Sequence, residues 1–553
     1  MKKWVIKSNT VIRTTKELVA LLLKNRNIEK EDEFFNPALH DITSKNLQID
    51  DKQITKANKR IKKAIKNKEL IIIYSDYDCD GICGAGILYE WLAGRGATVL
   101  PYVPDRETEG YGISKAGIDN ILTKFKCQNS NDKSNSKFKI QNAKILIITI
   151  DNGVTANEAI DYANSKNINV IVVDHHQLPE KLPDAYAIVH TTKLCAGGLA
   201  WFIAEKPENS LDLVGIATIA DMVPLTNENR IIAKLGLEKL NKTERPGLLA
   251  IFNEAGLKSG GIGAYEVGFI IAPRINAMGR MENALDSLRL LCTKKEERAA
   301  ELAKKLGMVN RERQDLTMQT FITAKKIYSQ KNQENKLIFL HHEEFNQGII
   351  GLVAGKLTEL YYKPAIIISK GKEISKASAR SISGFNIIEA IRSCENILIN
   401  AGGHPMAAGF TVATERIFLL EERLTQLANG QITEEQLQKE LKIDMEIDFS
   451  LLSFNLYQEI QKFSPFGMGN PEPVFISRQV QVVSVSAVGA ESKHLKLLLK
   501  QGNIAMQAIA FGMGKRITEV KPDSVIDIVY TIALDTWNGN QKLNLKIKDF
   551  KSL

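Results

Sequence analysis

Three short runs of consecutive apolar residues dominate the first third of the chain, each ending in acidic or imidazole side chains: LIIIYSDYD from Leu70, ILIITIDN from Ile145 and NVIVVDHH from Asn169. Helix-like segments precede or separate them, namely ITKANKRIKKAIKNK, GICGAGILYEWLAGRG and ANEAIDYANSKN. Strands that are apolar throughout are buried on both faces, and their alternation with helices predicts a doubly wound parallel α/β sheet. Residues 126–144 are polar and rich in Asn and Ser, the composition of a solvated loop insertion. Residues 283–330 carry good helix formers and spaced apolar positions without proline, which predicts one or two long amphipathic helices bridging domains. Strand signals resume at KLIFLHH and PAIIISK, opening a second α/β domain. From about residue 445 short alternating strands broken by Gly, Asn and Pro predict a small β-barrel or sandwich.

The acidic strand ends carry the candidate chemistry. Asp76, Asp78 and Asp80 follow the first strand at i, i+2 and i+4, a spacing that in an extended backbone points three carboxylates to one side. Carboxylates that close repel strongly, and hard divalent cations with oxygen ligands offset the repulsion. Asp151 ends the second strand, and Asp174, His175 and His176 end the third. Ligands of open parallel sheets gather beyond the carboxyl ends of the strands, so all three ends deliver to one edge. Asp221, within the apolar stretch GIATIADMVPL, is a further ligand source. Mixing imidazole with carboxylate moves the preference from Mg²⁺ toward Mn²⁺, Fe²⁺ or Zn²⁺, of which Mn²⁺ is the first choice. Two such ions with Asp151 bridging would serve phosphoester or phosphoanhydride cleavage.

Composition narrows this further. The 553 residues include 73 Lys and Arg against 64 Asp and Glu, a net charge of +9 that permits an anionic partner without demanding one. An apolar fraction of 44% and a charged fraction of 25% exclude disordered and collagen-like chains. The six cysteines form no C-x-x-C pair, which fits free thiols in a reducing cytoplasm, and neither a signal peptide nor a membrane anchor is expected. Anion-binding parts follow: Arg106 in VPDRETEGYG, Arg274 and Arg280 in APRINAMGR, Arg380 in SARSISGFN and His404 in AGGHPMAAGF.

DYDCDG, TIDNG, VDHH and ATIADMVPL, in this order, resemble the DHH phosphoesterase superfamily. The continuation APRINAMGR, SARSISGFN, AGGHPMAAGF and SPFGMGNPEPVF resembles its branch of single-stranded-DNA-specific exonucleases. The resemblance covers residue 45 to the end and implies an N-terminal segment 1–44, a DHH domain 45–282, a connecting helix 283–334, a DHHA1 domain 335–440 and an OB-fold nucleic-acid-binding domain 441–553. It implies a monomeric, cytoplasmic enzyme that releases mononucleotides from single-stranded DNA in the 5′ to 3′ direction with Mn²⁺ or Mg²⁺, two per site, alongside a single-strand-binding protein and a helicase in recombination and repair. By the same analogy Asp76, Asp78, Asp80, Asp151, His175, His176 and Asp221 form the metal centre. Arg106, Ser378 and Arg380 would read the terminal phosphate, and Arg274, Asn276, Arg280 and His404 would line neighbouring phosphates. Phe466, Phe475, Phe511 and Trp537 are aromatics available for base stacking in the β domain, although packing in the barrel core is the expected role for most of them. Two positions depart from the superfamily pattern: Tyr74 stands where relatives place a His, so that one metal is expected to rely on Asp76 or to bind more weakly, and Phe345–Asn346 replaces a Trp–His pair. The extra C-terminal domain of longer relatives is expected to be absent. The competing enzyme class is a small phosphoesterase acting on oligoribonucleotides or cyclic dinucleotides, for which the β domain would be superfluous. The non-enzymatic alternative, a scaffold that has lost its ligands, is disfavoured by the intact acidic set.

Overall fold

The computed structural model describes residues 2–106, 108–126, 144–535 and 541–552, so most of the polar insertion, and Trp537, lie outside the described residues. The chain divides into two compact units: Pro37–Leu316 with Pro465–Asn470, and Met1–Asn36 with Thr317–Ser464 and Pro471–Leu553.

The first unit is built on a five-stranded sheet in the order Thr98–Tyr102, Leu70–Ser75, Ile145–Ile150, Asn169–Asp174, Ala187–His190. All neighbours pair in parallel, as the continuous apolar runs predict. Ser75 is level with Ile150, and Ile150 with Val173, so the three acid-bearing strands end side by side. Helices Cys79–Ala93, Ala196–Ile203 and Leu211–Ala220 bury one face of the sheet under a core that includes Ile82, Leu199, Trp201 and Ile216. Helices Lys115–Lys126 and Asn157–Ser165 cover the other face, where Tyr74, Tyr102, Ile118, Ile160 and Val172 pack together.

The second unit holds three further sheets and their helices. One has five strands in the order Leu398–His404, Ala407–Ala413, Ile374–Arg380, Ala365–Ser369, Ile338–His342, parallel only at the last pair. A second closes on itself: the 14-residue strand Phe475–Val488 pairs with both His494–Gln501 and Val525–Asp535. Ile504–Ala510 and Lys542–Ser552 complete a five-stranded barrel. A register shift between Ser477 and Val480, with Gln479 at φ 51, lets the long strand bend around the barrel. Phe475 is fully buried in this barrel, the core role expected for it ahead of stacking; Phe466 is half-buried, while Phe511 is 57% exposed and meets His494 edge-on. The third sheet pairs the N-terminal strand Lys3–Ile6 in parallel with Glu440–Ile443.

Candidate metal centre and phosphate-binding residues

The sheet edge brings the predicted ligands together. Asp76 leaves the Leu70–Ser75 strand, Asp151 the Ile145–Ile150 strand, and His175 and His176 the Asn169–Asp174 strand; Asp221 ends helix Leu211–Ala220. His175 Nε2 lies 3.2 Å from Asp151 Oδ1, 3.7 Å from Asp221 Oδ2 and 3.9 Å from Asp80 Oδ2. Three overlapping sets of side chains are spaced to hold a cation: Asp76, Asp78 and Asp151; Asp80, His175 and Asp221; and Asp151, His175 and His176. Asp151 belongs to two of them, the position a bridging carboxylate needs.

The donor set fits divalent cations on physical grounds. Asp76 Oδ1 and Asp151 Oδ1 are buried without a hydrogen-bond donor, and a buried carboxylate oxygen left so is costly unless a cation takes it. Asp151 also sits at φ 64, in the left-handed region that aspartate tolerates better than most side chains, at the turn that follows its strand.

One expectation is corrected. Asp76, Asp78 and Asp80 do not lie on one side of an extended segment, because the chain turns from strand to helix between them. Asp78 is the N-cap of helix Cys79–Ala93, its Oδ1 accepting from the N–H groups of Asp80 and Gly81. Asp80 lies within the first turn and points elsewhere: its two oxygens accept from Ala196 N and Gly197 N, each at 2.7 Å, capping a second helix. The three carboxylates are thereby divided, Asp76 and Asp78 in one set and Asp80 in the other.

Electrostatics reflect this crowding. Burial, then the charge of Asp78, pushes Asp80 up to about 7 despite the N–H groups that favour its anion. Burial, then Asp80 and Asp78, lifts Asp221 to about 9. Asp76 and Asp151 are raised well above the usual carboxylate range, by burial first and Asp78 next. Burial pulls the His176 imidazole down, but its hydrogen bond and charge pairing with Asp174 outweigh that and hold it above its ordinary value. Burial likewise penalises the Asp174 anion, and His176 with the surrounding N–H groups outweighs it and holds Asp174 low.

Asp174 takes a role beyond closing its strand. Its Oδ1 accepts from His176 Nδ1 at 2.7 Å and from His175 N and His176 N, and its Oδ2 from Val154 N. It therefore fixes the backbone of both histidines and the ring of His176, a function that sequence reasoning missed. Tyr111 was also missed; its hydroxyl donates to the Asp151 carbonyl at 2.9 Å and lies 3.4 Å from His176 Nε2. Its only signal is its place in EGYG.

The expected phosphate ligands divide. Arg106 lies over the Tyr77 ring, 5.2 Å from its centroid, and its charge is felt at Asp76. Asn276 Oδ1 accepts from Cys79 N at 2.6 Å, so it helps to cap the helix behind Asp78. Its own helix, Ala272–Met281, lies so close to this turn that a Cβ on Gly279 would meet the Tyr77 carbonyl at 2.5 Å. Arg280 is near enough to act electrostatically on Tyr77. Arg274 departs from expectation: Nε is held by Glu254 at 2.8 Å and Nη1 by the Ile270 carbonyl. In the second unit Ser378 and Arg380 share the Ile374–Arg380 strand, with Arg380 Nη1 donating to Ser378 Oγ and to Ala379 O. No carboxylate pairs with Arg380 among the described residues. A Cβ on Gly351, at the start of helix Ile350–Tyr361, would meet Ser378 Oγ at 2.9 Å and Arg380 Nη2 at 3.2 Å, so the glycine leaves this cation open. His404 is exposed at the end of Leu398–His404. Of the two departures, Tyr74 is fully buried with its hydroxyl donating to Gly112 O, and Asn346 Oδ1 accepts from Gly348 N.

Family models match three segments in order: DHH family, N-terminal domain, at 70–223; DHHA1 domain at 334–434; and RecJ OB domain at 443–549. The single-stranded-DNA-specific exonuclease RecJ of Haemophilus influenzae is 30% identical over 88% of this chain and 88% of its own. The chain belongs to the RecJ family. The RecJ of Bacillus subtilis is 35% identical over 90% of this chain, which spans 63% of that relative's length. The crystal structure of RecJ in complex with Mn²⁺ from Thermus thermophilus superposes with a TM-score of 0.82 at 25% identity, covering 99% of this chain and 79% of that one. The Mg²⁺ complex of the same RecJ gives 0.76. The parallel-sheet unit, the DHHA1 sheet and the barrel are thus the DHH, DHHA1 and OB domains of the RecJ family. Among the described residues no helix is long and apolar enough to cross a membrane.

Proposed function

We propose that the chain removes mononucleotides from the 5′ end of single-stranded DNA by hydrolysing phosphodiester bonds, in recombination and repair, with two Mn²⁺ or Mg²⁺ ions per site. The observation that carries this reading is the meeting of Asp76, Asp78, Asp80, Asp151, His175 and Asp221, from three strand ends and one helix end, in overlapping sets whose ligand atoms lie within 4.8 Å of one another. Asp76 and Asp78 would hold one ion, Asp80, His175 and Asp221 the other, and Asp151 both. When bound, such a pair supplies an activated water and neutralises charge developing on the phosphoryl oxygens.

The remaining roles belong to the chain's own groups. Asp174 holds the Nδ1 proton of His176, which leaves Nε2 turned toward Tyr111 and the substrate side. Arg106, backed by the Tyr77 face, offers a planar fork to a phosphate beside the carboxylates. Arg280 and Asn276 flank the same turn, with Asn276 also serving the helix cap. Ser378 and Arg380 form a separate phosphate site, an unpaired guanidinium with a hydroxyl at its side, and we assign it the 5′-terminal phosphate; His404 is assigned a neighbouring phosphate. Arg274, already bound to Glu254, acts by holding its helix. The OB barrel is assigned to holding the strand, and the chain to a monomer in the cytoplasm that works with a single-strand-binding protein and a helicase.

Digestion of an end-labelled 5′-phosphorylated single strand with and without Mn²⁺ tests the reading. Wild-type chain is expected to release mononucleotides only with the metal, and Asp151→Ala to release none while keeping its fold and much of its DNA binding. Near-normal turnover in that variant would show the bridging assignment to be wrong.

A further inference from the structure

In the first unit, the short helix Ala264–Glu266 runs through a π-helical turn, Val267–Ile271, into Ala272–Met281. Pro273 explains the wide turn. Proline has no N–H for the carbonyl four residues earlier, that of Phe269, and its ring crowds that carbonyl; an extra residue in the turn relieves both. Arg274 Nη1 donates to the next carbonyl, Ile270 O, at 2.9 Å. At this widened turn Tyr265 and Phe269 stand in solvent, 63% and 69% exposed. Their rings stack on each other, centroids 4.9 Å apart and planes 26° from parallel. Two large aromatics outside the buried cores, paired face to face, make an apolar surface that core packing does not account for.

The helix that follows them leads to the catalytic end. Asn276 and Arg280 recur at i and i+4, one side of helix Ala272–Met281, which continues directly from the turn that carries Phe269. At its C-terminal end this helix packs on the turn that carries Asp76 and Asp78, through Asn276 on Cys79 N, Gly279 against the Tyr77 carbonyl and Arg280 acting on Tyr77. The aromatic pair precedes its N-terminal end. Eleven residues of helix put Phe269 about 16 Å from Arg280 along the axis, a length of several nucleotides of extended strand.

We infer that Tyr265 and Phe269 form a stacking platform for unpaired bases of the single strand, several nucleotides on the 3′ side of the bond being cut. The inference rests on the nuclease reading above. Aromatic faces bind any base and so suit an enzyme that must accept every sequence. Bases inside a duplex have no free face to offer, so the platform favours single strands over paired ones.

The test uses the full chain and two probes: a 5′-phosphorylated oligothymidylate long enough to span the helix, and a 5′-phosphorylated thymidine dinucleotide that ends before the platform. Stacking on one aromatic is worth about 5-fold or more in affinity. Tyr265→Ala/Phe269→Ala is expected to weaken binding of the long strand in EDTA, and to raise its KM in Mn²⁺, by at least that factor. The slope of affinity against salt should stay unchanged, since no phosphate contact is lost. Dinucleotide turnover should also be unchanged, and Tyr265→Phe/Phe269→Tyr should bind as wild type does. Abasic residues at the platform position should weaken wild type but not the alanine variant. Equal affinity of the alanine variant for the long strand, equal losses on both probes, or a change in oligomeric state on gel filtration would each overturn the platform. A wild-type chain that neither binds nor shortens the long strand overturns the nuclease reading itself, a result distinct from all of these.

Discussion

Asp174→Asn isolates the support of the metal centre from its ligands. The wild-type carboxylate receives four N–H donors: His176 Nδ1 at 2.7 Å, His175 N at 2.8 Å, His176 N at 3.1 Å and Val154 N at 3.0 Å. The amide has one acceptor oxygen. Turned toward the histidines, it places an NH₂ group against the Val154 N–H, leaving a buried donor unsatisfied at a cost of about 1–3 kcal/mol. The three bonds that survive lose their charge assistance, about 1 kcal/mol each. Relief of the desolvation that penalises the wild-type anion offsets part of this, so the net loss of stability is about 3 kcal/mol, a large share of a typical domain's total. The His176 imidazole should also become harder to protonate, because the pairing that holds it up is gone. Loss of such supporting groups typically costs roughly 10- to 100-fold in metal affinity or activity. Urea unfolding of the metal-free chain, Mn²⁺ titration calorimetry and digestion of a labelled single strand measure the three effects. A variant with wild-type Mn²⁺ affinity and turnover would refute the argument that Asp174 organises the histidines.

The raised carboxylates predict a pH dependence of definite sign. Folded Asp80 and Asp221 keep protons up to about 7 and about 9, whereas unfolded carboxyls release theirs near about 4, so the folded state binds more protons across that window. Metal-free chain should therefore melt at a lower temperature at about pH 8.5 than at about pH 5.5, and Mn²⁺ should stabilise it more at the higher pH, where fewer protons compete. A melting temperature in EDTA that rises over this interval would contradict the burial argument. Arg380→Ala should lower kcat/KM on 5′-phosphorylated strands by about 10-fold or more, the scale of one lost charge-assisted contact, and narrow the difference from 5′-hydroxyl strands. An unchanged ratio between the two substrates would move the terminal phosphate elsewhere.

Much of the fold was legible because its signals are local. A continuous apolar run marks a strand buried on both faces, and the acids that close the Leu70, Ile145 and Asn169 runs mark the edge where a parallel sheet collects its ligands. That is why Asp76, Asp151 and His175 could be named together before their distances were known, while Asp221 was added on its apolar setting. The alternating strands after residue 445 announced a barrel or sandwich for the same reason. Other features depend on partners distant in the chain, for which the sequence carries no periodic sign. The turn at Asp78 sends Asp80 to the N–H groups of Ala196 and Gly197, more than a hundred residues away, and so divides one acidic motif between two cation positions. Glu254 captures Arg274, while Arg380, equally basic and equally embedded in a promising motif, has no carboxylate partner among the described residues. Strand Lys3–Ile6 pairs with Glu440–Ile443 across nearly the whole chain. The sequence by itself determined which residue types reach the sheet edge, since strand ends and helix starts are written in neighbouring residues. Only the tertiary structure decided which of those charges are consumed by neighbours and which stay open, because a hydrogen bond between distant segments exists only once packing has brought them within reach.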